Sequence, residues 1–466
     1  MRGLDLREHA PSILVATLSA AFGVALLQLT GVLTVAIAAD QLASSSSTVQ
    51  YVLGFISLVF IAIAVYVGAV VTANTFATII AGRIRTIALL RLIGSSASAQ
   101  RRAVAGEGLR VGLIGAVIGV VLGSLVAVVI ARVGVATSML PDLEYDYLPP
   151  VIALPLFAVV LTTWLASWVG SRRVLRVSPM QATGAAQEET LDESSGHRGR
   201  NIVALVLTVV GGAILAAAVV IGLSDATAVL VGVVGGLFSF SGFVLGAHLV
   251  MPRALRLVGR AFGSSAPARL AAENAVRYPE RSTRTTIGLV IGVTLITMFA
   301  VAVESYQVII RAAQAAQPEV YQGVDSILVA TVTVFSILVG FSALIAAVGM
   351  VNNLSLSVLQ RTRELGLLRA LGFTGRQVRR MILVESASLT TAAVLVGLVL
   401  GTFYGWVGAQ SLLGAISGGP GLVLPAIPVA LLLVVVLAAV VLSLVASVAP
   451  SRRATRVAPV AALAHD

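Results

Sequence analysis

The feature that most constrains this fold is a succession of ten apolar runs, each long enough to cross a lipid bilayer. About 20 apolar residues in a helix span the hydrocarbon core. Inside lipid a helix satisfies all of its own backbone hydrogen bonds, so the sequence predicts an all-α polytopic membrane protein. The ten predicted transmembrane helices cover residues 12–38, 50–76, 110–133, 149–170, 202–222, 228–250, 286–308, 325–350, 385–408 and 427–449.

The arginines orient these helices. With the amino terminus in the cytoplasm, 29 of the 31 arginines fall at the inner side of the membrane, and only Arg132 and Arg311 fall at the outer side. Positive charge concentrates in cytoplasmic loops, so we expect a bacterial cytoplasmic membrane protein with both termini inside the cell. The first apolar run, residues 13–39, is longer than the roughly 7–15 residues of a signal-peptide core, which predicts an uncleaved first helix.

The composition excludes several kinds of chemistry. The chain has no cysteine and no lysine, which rules out thiol catalysis, lysine Schiff bases and a phosphate-binding Walker A loop. Its four histidines are scattered, and neither paired carboxylates nor a serine–histidine set is apparent. We therefore predict a chain that is not an enzyme and holds no metal or cofactor. The net charge of +11 is explained by membrane topology, and no nucleic-acid partner is expected.

A basic segment interrupts the apolar runs twice, at residues 83–107 (hairpin one) and 361–385 (hairpin two). The two copies align without a gap, Arg83 with Arg361 and Glu107 with Glu385, and share the order Arg-x-Arg, Leu-Leu-Arg, Gly, Arg-Arg and Glu. The charged residues and glycines that we single out as candidate site residues are Arg361, Arg363, Glu364, Arg369, Gly372, Arg376, Arg379, Arg380 and Glu385, with Arg83, Arg85, Arg91, Gly94, Arg101, Arg102 and Glu107.

A second repeated element shows that whole groups of helices are duplicated. The pattern SRR-x-x-RV-x-P begins at Ser171 and again at Ser451, almost the same separation as between the hairpins. Six predicted helices separate equivalent points, so the two copies have the same orientation in the membrane. The sequence therefore predicts a 4 + 2 + 4 arrangement. Its predicted units are a first four-helix repeat (1–186), a linker with a central helix pair (187–267) and a second four-helix repeat (268–466).

Hairpin two has the local signals of a helix, a tight turn and a second helix. Gly372 suits the end of one helix, and Thr374-x-x-Gln377 has the form of a capping box that opens the next. That second helix would run directly into the ninth predicted transmembrane helix. Glu107 and Glu385 are expected near helix starts, where the helix dipole favours a carboxylate. The arginines could serve only as topology anchors, but that role does not explain their shared order.

The motif Arg363-Glu364-Leu365-Gly366-Leu367-Leu368-Arg369-Ala370-Leu371-Gly372, with Gln377 and Glu385, resembles the FtsX-like permease domain of MacB-type ABC transporters. The resemblance covers both repeats, and the 4 + 2 + 4 layout is similar to that of the bacitracin-exporter permeases. It implies a permease subunit that couples ATP hydrolysis by a separate cytoplasmic ATPase, present in two copies, to movement of its transmembrane helices. ATP and Mg²⁺ would be bound by that ATPase, which would dock on both hairpins.

Two departures from the family pattern bear on function. Thr86 and Ala88 of hairpin one stand where hairpin two has Glu364 and Gly366, so we expect unequal ATPase contacts. The outer loops are too short for the large extracytoplasmic domain of bacitracin-type permeases, which favours lipid-like or envelope substrates that are exported, extracted or acted upon.

Two other functional classes remain open: a non-transporting regulator of a cell-envelope hydrolase or sensor, with an extracytoplasmic partner, and a secondary transporter. The scarcity of ionisable residues inside the predicted helices disfavours the secondary transporter. Membrane lipid is an expected contact in every case.

Overall fold

The computed structural model describes residues 6–38, 89–90, 93–137, 140–171, 198–259, 279–321 and 371–441, together with Tyr66, Val70, Glu273, Val332, Gly340, Ala343, Leu367 and Arg369. Within these residues the regular elements are all helical, and seven helices are long and apolar enough to cross a membrane. The helices are α1 (Leu6–Ala38), α2 (Ala97–Ala136), α3 (Ala153–Gly170), α4 (Arg198–Ile221), α5 (Ala228–Gly259), α6 (Pro279–Ala316), α7 (Gly375–Leu413) and the shorter α8 (Val429–Val441).

These helices confirm the all-helical membrane class. The seven long helices correspond to seven of the ten predicted transmembrane segments, and α8 covers part of the tenth prediction, residues 427–449. The predicted helices at 50–76 and 325–350 lie outside the described residues, apart from a few single positions. The complete ten-helix arrangement and the three predicted units therefore stay predictions.

The helices pack in three close pairs: α1 with α2, α4 with α5, and α6 with α7. Helix α5 also contacts α6 and α7, which joins the α4–α5 pair to the α6–α7 pair. One apolar cluster contains residues of α1, α5, α6 and α7, among them Leu26, Met251, Ile291 and Leu389. Helices α1 and α6, the first helix of each predicted repeat, are the most enclosed, whereas α2 and α4 leave most of their surface exposed.

Glycines set the contact within two of these pairs. Gly115, Gly119 and Gly123 recur every fourth residue along α2 and face α1, while Gly397, Gly401 and Gly405 do the same on α7 towards α6. A methyl group at Gly401 would lie only 2.5 Å from Thr297 Cβ and 2.6 Å from the Thr294 carbonyl oxygen. Small residues at such crossings let helix backbones approach closely, which is how helices associate without a hydrophobic driving force in lipid.

The two pairs use equivalent contacts in different sequence registers. The atoms nearest Gly115 are those of Ala16 and Thr17, and the matching atoms near Gly397 belong to Val293 and Thr294. In the ungapped alignment of the hairpins, however, Gly397 stands opposite Gly119 and not Gly115. Relative to its crossing point, hairpin two therefore stands one helical turn, about 6 Å, further away than hairpin one.

The same shift holds along the whole crossing. Gly119 of α2 and Gly401 of α7 meet the same kinds of atom in the same order: a β-carbon, a carbonyl oxygen and a backbone nitrogen of the facing helix. Gly123 and Gly405 likewise each meet a carbonyl oxygen and a valine β-carbon. The displacement is therefore a property of both crossings and not of a single contact.

We expect Gly401→Ala to destabilise the protein by about 1–3 kcal/mol, because its methyl group would overpack the α6–α7 crossing. The matched control is Gly408→Ala on the same helix, where a methyl group meets no atom within 4 Å. This control should change stability by less than about 1 kcal/mol. Thermal unfolding in detergent, followed by size-exclusion chromatography, measures both variants. Equal losses in the two variants would contradict close packing at Gly401.

Candidate functional site

Hairpin two turns at Gly372. Leu367 and Arg369 are helical, and the amide of Leu371 donates to the Leu367 carbonyl at 2.9 Å. The Gly372 amide donates to the Arg369 carbonyl at 3.1 Å, and Gly372 has φ +99°. Residues with a side chain rarely adopt this left-handed backbone conformation, so glycine can end the helix here without strain. The predicted helix end at Gly372 is confirmed.

The next helix starts with the capping box that the sequence predicts. Gln377 donates its backbone amide to Thr374 Oγ1 at 3.3 Å, and the Thr374 amide donates to Gln377 Oε1 at 2.8 Å. These bonds satisfy amides that a helix start otherwise leaves unpaired. Helix α7 then continues for 39 residues without interruption, a length of about 58 Å. One continuous helix therefore joins the turn of hairpin two to the loop that begins at Gly414.

Hairpin one has the same turn with a different cap. Gly94 also has φ +99°, and the Ser95 amide donates to the Leu90 carbonyl at 2.9 Å. Ser96 accepts a hydrogen bond from the Ala99 amide at 3.2 Å and opens α2. The residue three positions after this cap is alanine instead of glutamine, so the reciprocal bond of a capping box cannot form. The two hairpins thus share their backbone fold, while hairpin one replaces the capping box with a different bond, in which Gln100 Nε2 donates to Ser95 Oγ at 2.8 Å.

Exposed apolar side chains mark both turns at equivalent positions. Leu89 and Ile93 of hairpin one are 49% and 81% exposed, and Leu367 and Leu371 of hairpin two are 51% and 72% exposed. In the ungapped alignment of the hairpins, Leu89 stands opposite Leu367 and Ile93 opposite Leu371. The sequence-based prediction emphasised the arginines and missed Ile93. The signal was present, because an apolar residue precedes the turn glycine in both copies.

The arginines next to these turns differ in their surroundings. Arg102, Arg376 and Arg380 are exposed, whereas Arg369 and Arg379 are half-buried. Predicted site residues outside the described part of the chain are Arg83, Arg85, Arg91, Arg361, Arg363 and Glu364.

Arg101 has an aromatic partner on another helix. Its guanidinium lies over the ring of Trp168 in α3, 4.1 Å from the ring centroid. An arginine in this position is attracted by the negative face of the ring. The contact ties the start of α2, and with it hairpin one, to the end of α3.

The two glutamates of the hairpins do not lie at helix starts. Helix α2 begins at Ala97 and α7 begins at Gly375, so Glu107 and Glu385 are each the eleventh residue of a continuous helix. The helix dipole acts within about the first turn, and it does not reach them. The expected dipole contact is therefore wrong. Both side chains are half-buried on the helix wall instead.

At the other end of α7, side chains hold the backbone of the following loop. Trp406 Nε1 donates to the Val423 carbonyl at 2.7 Å, and Gln410 bonds both the Gly421 carbonyl and the Val423 amide. Ser305 of α6 accepts a hydrogen bond from the Ala426 amide at 3.2 Å. The loop at this end is therefore bonded to both α6 and α7.

The loop between α2 and α3 is held in a comparable way. Gln28 of α1 is almost fully buried, and its Nε2 donates to Ser124 Oγ at 2.8 Å and to the Tyr147 carbonyl. The neighbouring Tyr145 donates its hydroxyl to the Pro141 carbonyl. Partial burial, together with Tyr147 and Asp142, raises the pKa of the Tyr145 hydroxyl.

Comparison with known proteins identifies two matching segments. Residues 58–179 and 336–459 each match the model of the FtsX-like permease C-terminal domain, and each match contains one hairpin. The chain is 29% identical over 148 residues to the ABC transporter permease YknZ of Bacillus subtilis, an alignment that covers 32% of the chain and 35% of that relative.

Two further relatives match shorter segments. The chain is 29% identical over 130 residues to the macrolide export ATP-binding/permease protein MacB of Rhodopirellula baltica, covering 28% of the chain and 18% of that protein. It is 39% identical over 79 residues to the ABC transporter permease MJ1507 of Methanocaldococcus jannaschii, covering 17% of the chain and 18% of that protein. These alignments span about a third or less of each relative's own length.

The left-handed turn glycine gives a direct test of the hairpin geometry. We expect Gly372→Ala to strain the turn by about 1–2 kcal/mol, because a side chain would have to adopt a left-handed backbone. Hydrogen exchange of the backbone amides at positions 371 and 372 should then accelerate by roughly 5- to 30-fold. The control is Gly106→Ala in α2, where a methyl group meets no atom within 4 Å and the backbone is helical. Unchanged exchange in Gly372→Ala would contradict this turn.

Proposed function

Because the chain belongs to the FtsX-like permease family of ABC transporters, we propose that it is the membrane subunit on which a separate cytoplasmic ABC ATPase docks and acts. Two ATPase copies would bind, one at each hairpin, and would supply the ATP and Mg²⁺ sites that a lysine-free chain lacks. The observation that carries this proposal is the pair of matching turns, each with two exposed apolar side chains at equivalent positions.

The surface chemistry of the turns suits a protein partner. Leu371 and Ile93 are largely exposed, and exposed arginines follow each of them in the sequence: Arg376 and Arg380 in hairpin two, and Arg102 in hairpin one. Each turn therefore combines an apolar centre with arginines that can form a positively charged rim. Interfaces commonly combine an apolar centre with a polar rim, and the centre supplies most of the binding energy. An ATPase groove with acidic edges would complement this surface.

Helix α7 offers a path from that contact to the far side of the membrane. It begins at the turn of hairpin two, and its other end holds the loop around Val423 through Trp406 and Gln410. Close packing of Gly401 and Gly405 against α6 makes the two helices move as one unit. A push on the hairpin would therefore tilt or shift the outer loop, in agreement with a mechanism that transmits force without an ATP site in the membrane.

The finer architecture belongs to the same proposal. We place the helices in a 4 + 2 + 4 arrangement with both termini and both hairpins in the cytoplasm, since 29 of 31 arginines then lie inside. The loop of residues 140–149 and the loop of residues 414–428 then face the outside. Neither loop is long enough for a folded domain. A lipid-like or lipid-embedded envelope substrate, reached from within the membrane, is the substrate class that this layout favours.

The docking proposal is tested by charge insertion at the turns. Leu371→Glu should weaken binding of the ABC ATPase that co-purifies with the tagged chain by about 10- to 100-fold, because a buried leucine contributes about 1.5–3 kcal/mol. Ile93→Glu should also weaken binding, and by less if hairpin two dominates coupling. The affinity is measured as binding of the ATPase to the immobilised chain in detergent, and ATP hydrolysis is recorded in parallel.

Leu424→Glu is the matched control, since Leu424 is 87% exposed in the loop at the opposite end of α7. This variant should bind the ATPase as the parent chain does. Unchanged ATPase affinity in both Leu371→Glu and Ile93→Glu would contradict docking at the hairpins.

A second prediction concerns the positive rim of hairpin two. Combined replacement of Arg369 and Arg379 by glutamine should lower both ATPase binding and permease-stimulated ATP hydrolysis. It should also flatten the salt dependence of binding, because charge–charge attraction is screened by salt. The control is replacement of Arg311 by glutamine. Arg311 lies near the end of α6, on the outer side of the membrane in the proposed orientation. Binding and stimulated hydrolysis that persist unchanged in the double variant would contradict a role for this rim.

A further inference from the structure

One turn of the central helix α5 is bonded to tyrosines from both repeats. Tyr66 and Ser241 lie 2.7 Å apart between their hydroxyl oxygens, and Tyr404 and Ser239 lie 3.0 Å apart. Between the two serines, Phe240 makes edge-to-face contacts with both tyrosines, at centroid distances of 6.2 Å and 6.1 Å. We call these five residues the tyrosine hub.

The hub lies near the middle of the membrane-spanning part of α5. Ser239 and Ser241 are far from both ends of the helix, which begins at Ala228 and ends at Gly259, and they belong to the apolar stretch that is long enough to cross the bilayer. In the hydrocarbon core a polar group is satisfied by partners within the protein, so each hydroxyl gains from its partner on another helix. The two tyrosine–serine pairs are therefore specific attachments between helices.

The packing around α5 makes this attachment stiff. A methyl group at Gly211 of α4 would clash with the backbone nitrogen of Ser239. Phe243 stacks on Phe240 at a centroid distance of 6.1 Å, and both rings are buried. On the other side, a methyl group at Gly222 would lie 2.6 Å from the Cα atom of Ser411 in α7. The helix pair α4–α5 is thus held against α7 as well as bonded to Tyr404.

The two tyrosines come from the two family segments, and α5 comes from neither. Tyr66 lies in the segment 58–179 and Tyr404 in the segment 336–459, whereas α5 falls in the stretch between them. Tyr404 is on α7, the helix that begins at the turn of hairpin two. Tyr66 lies a short way before hairpin one in the chain. The hub is therefore a direct physical link from one hairpin's helix to the sequence that leads into the other.

We propose that the unrepeated helix pair α4–α5 transmits movement between the two repeats, and that Tyr66 and Tyr404 are the positioning residues that attach it to each of them. This inference rests on the proposed function, since it assigns a task to the helices between two ATPase-driven repeats. Displacement of α7 at hairpin two is passed to α5 through Tyr404 and Ser239. It is then passed to the first repeat through Ser241 and Tyr66.

The first experiment uses the chain alone in detergent. If the hub is one unit, Tyr66→Phe and Tyr404→Phe each disrupt it. The melting temperature of the double variant should then be no lower than that of the less stable single variant. Tyr145→Phe removes a tyrosine hydroxyl from the outer loop instead, and its loss should add fully to that of Tyr404→Phe. Additive losses for Tyr66→Phe and Tyr404→Phe would overturn the hub as a connected unit.

The second experiment measures transmission in the complex with the co-purified ATPase. The chain has no cysteine, so Ala103→Cys, an exposed position in the part of α2 that belongs to hairpin one, can carry a single fluorescent probe. In this background, Leu89→Glu and Ile93→Glu remove docking at hairpin one and leave the ATPase bound to hairpin two. ATP should still shift the probe signal, because the movement arrives through the hub.

Tyr404→Phe and Tyr66→Phe should each reduce that ATP-dependent shift by at least half, and Tyr145→Phe should leave it unchanged. A merely structural role would lower the melting temperature without removing the shift. A full shift in Tyr404→Phe would overturn transmission through the hub. Failure of the parent chain to bind any ABC ATPase would instead overturn the proposed function, and the stability comparison would still decide whether the hub is one unit.

Discussion

The structure depends on the close approach of helix backbones, because lipid provides no hydrophobic driving force for their association. Lipid tails are as apolar as leucine, so packing between helices must supply their association. Gly397, Gly401 and Gly405 bring α7 against α6, and Gly115, Gly119 and Gly123 bring α2 against α1. These contacts fix the distance of each hairpin from its helix crossing. They also fix where α7 presents Tyr404 to the central helix and Gln410 to the outer loop.

Local features of the fold can be predicted from sequence because a few neighbouring residues determine them. The end of a helix at Gly372 and the capping box of Thr374 with Gln377 each depend on a handful of adjacent residues, and the structure confirms both. The long helices follow from apolar runs. The same method places Glu107 and Glu385 near helix starts, and that expectation is wrong. Apolar content marks the part of a helix in lipid, and both helices begin well before their apolar runs, on the polar side.

Long-range contacts could not be predicted, because they depend on where separate helices lie. Ser239 and Tyr404 are 165 residues apart in sequence, and Tyr66 and Ser241 are 175 residues apart. No local pattern pairs them. The register of the glycine contacts is an intermediate case. When the two hairpins are aligned, the glycine triplet of α7 is displaced by one helical turn relative to that of α2, and this displacement is visible in the sequence. Only the facing residues on α1 and α6 show that the displacement changes the distance from each hairpin to its helix crossing.

The two hairpins are alike in the surface they expose and unlike in how they are attached. Their turns have the same backbone and equivalent exposed apolar residues. Hairpin one is braced against α3 by Arg101 on Trp168, whereas Val448 stands at the same distance before the second SRR motif and has no aromatic face. Hairpin two has the complete capping box and a longer lever to its crossing point. If two ATPases act on the hairpins as we propose, they push on unequal levers. A link between the two family segments is what would let such unequal pushes produce one movement.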